Sequence, residues 1–143
     1  MSDNEFMSEA IEQSKIAKSG GGLPFGAVVV CDGKIVGRGY CEDKTTGDVT
    51  DHAELLAIRR ACRALGRNDL QDCTIYCTNE PCLMCASGIF QAKIANIVIG
   101  LTRDDLPKLL RPRKIRLATL ADDAGYHVNI TTGIMKDEIL KLF

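Results

Sequence analysis

The chain has 143 residues, and its 18 basic and 19 acidic side chains give a formal net charge of −1. A hydrophobic content of 45% and a charged content of 26% are typical of one globular domain that can bury a core. The apolar runs are too short to cross a membrane, and the small net charge gives no overall attraction to nucleic acid. Seven cysteines, an odd number, argue against a disulfide framework, and the polar first residues do not resemble a secretion signal. We therefore expect a cytoplasmic protein.

Hydrophobic periodicity and turn residues divide the chain into alternating helices and strands. The Asp32-Gly33 pair predicts a tight hairpin, and Gly66 predicts the end of a helix. Asp3, and either Thr50 or Asp51, are candidate N-caps of the first two helices. The predicted helices cover residues 4–18, 52–65, 82–92, 103–110, 114–124 and 135–143, and the predicted strands cover residues 25–31, 34–40, 74–78, 94–100 and 127–131.

This alternation predicts a single α/β domain over residues 1–143. Five strands with helices between them favour a three-layer α-β-α sandwich around a central five-stranded mixed sheet. The long helical connection between residues 100 and 126 predicts that the fourth and fifth strands are parallel, because parallel strands need a crossover. The chain contains no internal repeat, low-complexity tract or linker.

Two short segments together provide a histidine, two cysteines and a carboxylate. They are His52-Ala53-Glu54 and Pro81-Cys82-Leu83-Met84-Cys85. Cys82 and Cys85 are three residues apart, so a helix that begins near Pro81 would carry both sulfurs on one face. The positive end of that helix would favour thiolates. His52, Cys82 and Cys85 would leave the fourth position of a tetrahedral Zn²⁺ open, which is typical of catalytic zinc rather than structural zinc.

A second grouping of the cysteines is possible. Cys73, Cys77, Cys82 and Cys85 could form an all-cysteine structural zinc site. The even spacing of Cys73 and Cys77 favours core packing on one face of a strand instead. Glu54 also favours the catalytic interpretation, because a structural site has no use for a carboxylate that does not bind the metal.

The H-x-E and P-C-x-x-C segments resemble those of the cytidine-deaminase-like superfamily, in its nucleobase and tRNA-adenosine deaminase branch. The branch contains fungal-type cytosine deaminases, guanine deaminases and tRNA adenosine deaminases, and the similarity runs from Pro24 to the last helix. It implies Zn²⁺ as cofactor, held by His52, Cys82 and Cys85. It also implies that Glu54 is the catalytic residue: it takes a proton from water, passes it to a ring nitrogen and assists the departure of ammonia.

The resemblance further implies a small nucleobase or nucleoside as substrate. Cytosine or a related pyrimidine ranks first, because fungal-type cytosine deaminases match Gly37 to His52 without a gap. Guanine or another aminopurine follows, then tRNA adenosine, and a structural zinc-binding protein is the non-enzymatic alternative. Cys41 stands where relatives usually carry an asparagine that contacts the ring, and the chain ends about where a pocket-covering tail would begin. The candidate substrate-binding residues are Phe25, Gly26, Cys41, Ala53 and Phe143.

A basic cluster follows the fourth predicted strand. Its members are Lys108, Arg111, Arg113, Lys114 and Arg116. It could contact phosphates. A solvated face of the predicted crossover helices is the more ordinary interpretation, and we favour it, so nucleic acid is not the expected partner.

The resemblance also implies a homodimer. Relatives in this branch associate through helices near the zinc site. Ile89, Phe90, Leu109 and Leu110 are the apolar residues expected to supply the contact.

Overall fold

The computed structural model describes residues 1–143 and contains one five-stranded mixed sheet. The strand order is β2-β1-β3-β4-β5, in which β1 is antiparallel to β2 and β3, while β4 is parallel to β3 and β5. No helix combines the length and the apolar character that crossing a membrane requires. The strands are β1 (Gly26–Cys31), β2 (Lys34–Tyr40), β3 (Cys73–Asn79), β4 (Asn96–Leu101) and β5 (Asn129–Thr131). The helices are α1 (Asp3–Ser19), α2 (Asp43–Thr46), α3 (Ala53–Leu65), α4 (Leu83–Gln91), α5 (Leu117–Ala124) and α6 (Lys136–Leu140).

The sheet separates two apolar clusters, which confirms the predicted α/β sandwich. On β1, Ala27 and Val29 face one cluster and Val28 and Val30 face the other, as the two-residue period of a strand requires. Helices α3, α4 and α5 cover the first face, and α1 and α6 cover the second. The parallel pairing of β4 with β5 is confirmed as well.

The first core contains two residues that the sequence suggested for a dimer interface. Ile89 is fully buried, and the ring of Phe90 stacks on Tyr126 with ring centroids 5.0 Å apart. Both side chains lie between α4 and the sheet, so neither is available to a second chain. Leu109 remains exposed. Helix α4 lies near the metal-binding motif, as expected, but its apolar face points inward rather than outward.

Two helix starts differ from the predictions. Ser2, not Asp3, caps α1, because its hydroxyl accepts a hydrogen bond from the Glu5 amide at 3.3 Å and the Glu5 carboxylate accepts one from the Ser2 amide at 3.0 Å. His52 is the N-cap of α3, in place of either residue before it. The Asp51 carboxylate instead accepts a hydrogen bond from the Thr46 hydroxyl of α2 at 2.7 Å, and no side chain caps α3.

The connection from β4 to α5 is less helical than predicted. Only Arg103–Asp105 forms a 3₁₀ turn, and the Asp105 carboxylate accepts a hydrogen bond from the Thr102 amide at 2.8 Å. Pro107 and Pro112 explain the difference, since proline restricts the residue before it and removes a helical donor. The segment is therefore an irregular strap, and α5 begins three residues later than expected, at Leu117.

Two glycines of β2 allow α3 to lie directly on the sheet. A Cβ atom at Gly39 would overlap the Ala53 carbonyl oxygen, and one at Gly37 would overlap the Ala57 carbonyl oxygen. Ala53 lies between the candidate ligand His52 and the candidate acid–base Glu54. The close approach at Gly39 therefore sets the distance between β2 and the first turn of α3, and with it the positions of His52 and Glu54.

We expect Gly39→Ala to destabilise the protein by about 1–3 kcal/mol, because the added methyl group must push α3 away from β2. Gly20→Ala is the matched control, since a Cβ there meets its nearest atoms at 3.6 and 3.7 Å. Denaturant unfolding measures both variants. Equal stability of the two would show that α3 is not seated by this contact.

Candidate active site

His52, Cys82 and Cys85 meet where α3 and α4 begin. His52 is the N-cap of α3, Cys82 is the N-cap of α4, and Cys85 lies in the first turn of α4. The Nδ1 atom of His52 lies 3.6 Å from the sulfur of Cys82 and 3.6 Å from that of Cys85. The positive ends of two helix dipoles therefore face the two sulfurs, which stabilises thiolate charge.

These distances fit a tetrahedral zinc ion. With Zn–S bonds of about 2.3 Å and Zn–N bonds of about 2.0 Å, a tetrahedral angle places nitrogen and sulfur about 3.6 Å apart. The three ligand atoms all lie within 4.8 Å of one another. A hydrogen bond from Cys85 lowers the pKa of Cys82 to about 4, while the same contact raises the pKa of Cys85. One thiolate is thus already present, and a bound cation would deprotonate the other thiol.

The second ring nitrogen of His52 faces a carboxylate. Its Nε2 atom lies 3.8 Å from an oxygen of Asp43, which belongs to α2. This distance is too long for a direct hydrogen bond, but the nearby carboxylate would favour a proton on Nε2, which leaves Nδ1 as the metal ligand. Sequence reasoning missed Asp43, because residues 42–51 form a loop and a short helix without a periodic pattern.

Glu54 lies in the first turn of α3 and is only 3% exposed. Burial raises the pKa of its carboxyl group to about 7, although hydrogen bonds from its own backbone amide and from Cys85 oppose the shift. A carboxyl with a pKa near neutrality can both accept and return a proton. Glu54 forms no salt bridge, so no neighbouring cation holds its carboxyl group in the ionised form.

A cavity of about 250 Å³ opens beside the metal ligands. Its wall is mixed, with apolar side chains together with carboxylate, amide and guanidinium groups. Glu54 and His52 both reach it, so a bound ring could contact the acid–base group and the metal together. Its lining residues are Leu23, Phe25, Cys41, Asp43, His52, Ala53, Glu54, Asn79, Glu80, Cys82, Arg103 and Leu110.

The structure places three of the five candidate substrate-binding residues on this wall: Phe25, Cys41 and Ala53. Gly26 does not line it, because its Cα packs against the backbone of α1, where a Cβ would overlap a carbonyl oxygen. Phe143 does not line the cavity, but its ring packs against that of Phe25, with the two ring centroids 5.9 Å apart. Cys41 is a buried thiol that donates to Asp43 at 3.2 Å, and burial raises its pKa to about 12.

An ion pair holds Glu80 in place on the cavity wall. Arg116 donates to both oxygens of Glu80, at 2.6 and 3.0 Å, and to Asp104 at 2.9 Å. The amide of Arg103 donates to Glu80 at 3.3 Å. Arg116 is therefore not part of a solvated basic face. It ties the irregular strap after β4 to the turn that carries Cys82.

The all-cysteine alternative does not fit the structure. Cys73 and Cys77 lie on one face of β3 and are completely buried in the core, as their even spacing indicates. Neither joins the cluster formed by Cys82 and Cys85 with His52.

We expect one zinc ion per chain at low free zinc and none after Cys82→Ser/Cys85→Ser, because serine supplies no thiolate. Metal analysis after dialysis against a chelator-buffered zinc solution measures the content. Cys62→Ser is the control, since this half-buried thiol lies outside the cluster and should leave the zinc in place. A full zinc content in the double variant would contradict the assignment.

Comparisons with known proteins agree with this geometry. Residues 1–101 match the model of the cytidine and deoxycytidylate deaminase zinc-binding region. The probable cytosine deaminase of Schizosaccharomyces pombe is 31% identical over an alignment of 144 positions, which covers 96% of this chain and 88% of that protein. The guanine deaminase of Bacillus subtilis is 42% identical over 94 residues, which are 65% of this chain and 60% of that protein.

A solved structure from work on tRNA:A34 deaminases superposes with a TM-score of 0.83 at 29% identity, covering 97% of this chain and 99% of that one. Several curated tRNA deaminase relatives match over less than two thirds of their own length. The family model covers more than half of the chain, and it includes the H-x-E and P-C-x-x-C segments that converge in the structure. The chain therefore belongs to the cytidine and deoxycytidylate deaminase zinc-binding family.

Proposed function

We propose that the protein hydrolyses an exocyclic amine from a nucleobase-like heterocycle and releases ammonia. The observation that carries the proposal is Glu54, a buried carboxyl with a pKa of about 7 on the wall of a cavity that also reaches His52 and Cys82. A site that used zinc only for stability would have no need of an unpaired acid beside an accessible cavity. Family membership supports the same reaction class.

His52, Cys82 and Cys85 would hold Zn²⁺, which when bound supplies Lewis-acid activation of water. Glu54 accepts a proton from the water while the oxygen of that water attacks the ring carbon that bears the amine. Glu54 then gives that proton to the adjacent ring nitrogen. It next takes the remaining proton from the hydroxyl on the ring carbon and passes it to the amine, which leaves as ammonia when the carbon–nitrogen bond breaks. The carbonyl product keeps the oxygen of the water.

We favour cytosine or a related pyrimidine as the substrate. A volume of about 250 Å³ lies just below the usual range of roughly 300–1,000 Å³ for ligand pockets, which suits a single free ring. Asp43 places a carboxylate on the wall, and this charge disfavours phosphate groups. The match to the probable cytosine deaminase along nearly the whole chain supports this choice. Guanine or another aminopurine, free or as a nucleoside, comes next, as the guanine deaminase relative indicates.

Adenosine in tRNA ranks third among the candidate substrates. It is supported by the tRNA deaminase relatives and by the basic strap. Arg111, Arg113 and Lys114 are exposed, and they follow Leu110, which lines the cavity. A nucleic acid whose base entered the cavity could place phosphates along these side chains.

We also propose a homodimer, with a changed contact surface. Because Ile89 and Phe90 are buried in the core, exposed apolar residues would supply the contact instead. Leu109 and Ile115 on the strap, and Val49 in the loop before α3, meet that condition.

Ammonia release from cytosine, guanine, adenosine and tRNA should be highest with cytosine and should nearly vanish in Glu54→Gln. Glutamine is nearly isosteric but cannot accept the proton, and such assistance is worth about 10²- to 10⁴-fold in rate. Zinc content and the unfolding transition of the variant provide the control. A zinc-loaded Glu54→Gln protein with nearly full activity would refute the role of Glu54, and no ammonia from any heterocycle would favour a silent zinc protein.

Neutralising Arg111, Arg113 and Lys114 together should leave turnover of the best free base unchanged, because these side chains lie outside the cavity. Arg116 is kept, because it holds both Glu80 and Asp104 and its removal would disturb the strap itself. Neutralising Lys15, Lys34 and Arg63, which are exposed on other elements, is the matched control.

Activity of the wild type on tRNA, lost selectively when the strap is neutralised, would reverse the ranking of substrates. The salt dependence of tRNA binding gives a second measure, because each phosphate contact steepens it.

A further inference from the structure

A second cluster of metal-ligand side chains lies at the other end of β3. Cys73, the first residue of β3, pairs directly across the sheet with Cys31, the last residue of β1. Asp72 precedes Cys73, and one ligand atom from each of the three residues lies within 4.8 Å of the others. The zinc ligands near Glu80 are at the opposite end of the same strand, so this cluster is separate from the candidate active site.

The cluster has the spacing of a tetrahedral site. The sulfur of Cys31 lies 3.5 Å from one oxygen of Asp72, and the sulfur of Cys73 lies 3.7 Å from the other. Bonds of about 2.3 Å to sulfur and 2.1 Å to oxygen, at a tetrahedral angle, place the two ligand atoms about 3.6 Å apart. Each sulfur lies near a different oxygen of Asp72, so the carboxylate would bind the ion through both oxygens or turn to present one of them.

The charges would also balance. Arg67 donates to both oxygens of Asp72, at 2.9 and 3.0 Å, and to the sulfur of Cys31 at 3.6 Å. Two thiolates, the carboxylate and the guanidinium sum to −2, which a divalent cation neutralises. Arg67 would keep its hydrogen bonds to ligand atoms, as outer residues of metal sites commonly do.

The site is accessible from one side. Cys31 and Asp72 line a surface cavity of about 530 Å³ together with Lys34 and Leu65, so an ion can enter and water can complete its coordination. Cys73 is completely buried, and burial raises its pKa to about 12. The free protein therefore holds a thiol there, and binding a cation must release its proton.

We propose that Cys31, Cys73 and Asp72 form a second binding site for a thiophilic divalent cation of the Zn²⁺ class, which would crosslink β1 to β3. Two thiolates with a carboxylate favour zinc over hard cations, which prefer oxygen ligands alone. The proposal does not depend on the deaminase activity.

Metal analysis over a series of buffered free-zinc concentrations tests it. The wild type should bind one zinc at low free zinc and a second at higher free zinc. Cys31→Ala and Cys31→Ala/Cys73→Ala should keep the first and lose the second, whereas the control Cys62→Ser should bind both. If the alanine variants do not fold, Asp72→Asn replaces them, because it changes an exposed side chain. It should weaken binding of the second zinc at least tenfold.

Two further measurements distinguish metal binding at this cluster from oxidation of its two thiols. Calorimetric titration in buffers of different ionisation enthalpy should show proton release with the second zinc, and the melting temperature of the wild type, but not of Cys31→Ala, should rise across that step. A wild type that stays at one zinc up to micromolar free zinc would overturn the proposal. So would a protein that never binds the second zinc but loses two hydrogens in mass on exposure to oxidised glutathione, because that result identifies a disulfide pair instead.

Discussion

The metal centre depends on the positions of two helix N-termini. A tetrahedral zinc ion accepts its ligands only if the nitrogen of His52 and the two sulfurs on α4 come within about 3.8 Å of one another, a distance far smaller than either helix diameter. The chain meets this condition by fixing each helix to the sheet. Gly39 lets the first turn of α3 touch β2, and the turn at Glu80 leads directly from β3 into α4. Both helices then present their positive ends to the same point, where thiolate charge accumulates.

Three carboxylates reach the cavity, and their partners give them different tasks. Glu80 is neutralised by Arg116 and holds the strap in place. Asp43 faces the imidazole of His52 and accepts the thiol of Cys41, so it orients groups around it. Glu54 has no cationic side chain beside it other than His52, and burial brings its pKa close to neutrality. Glu54 therefore combines a pKa near neutrality with a place beside the metal ligands, and this combination suits it to proton transfer.

Local sequence patterns predicted what depends on spacing. Cys82 and Cys85 could be paired because one helix turn separates them, whereas His52 and Glu54 joined them through the resemblance to zinc deaminases. The alternation of elements predicted the layers of the sandwich. Glu80 and Arg116 could not be paired from sequence, because 35 residues and an irregular strap separate them in the chain. Gly26 was assigned to the pocket because glycine permits close approach, but the approaching backbone belongs to α1. Phe90 likewise points inward because it stacks on Tyr126, and hydrophobic periodicity cannot predict a contact between residues so far apart in the chain.

Environment gives the cysteines of this chain different chemistry, and this bears on how the cavity would recognise a ring. Cys82 is acidified by donors, so it is a thiolate, whereas burial beside Asp43 keeps Cys41 a neutral thiol. An asparagine at position 41 would offer a ring both a donor and an acceptor. The one proton of Cys41 is already given to Asp43 at 3.2 Å, so this part of the wall presents acceptors. Ring edges that carry N–H groups complement such a wall. Asn79 also lines the cavity, and its uncharged amide can donate a hydrogen bond to a ring oxygen.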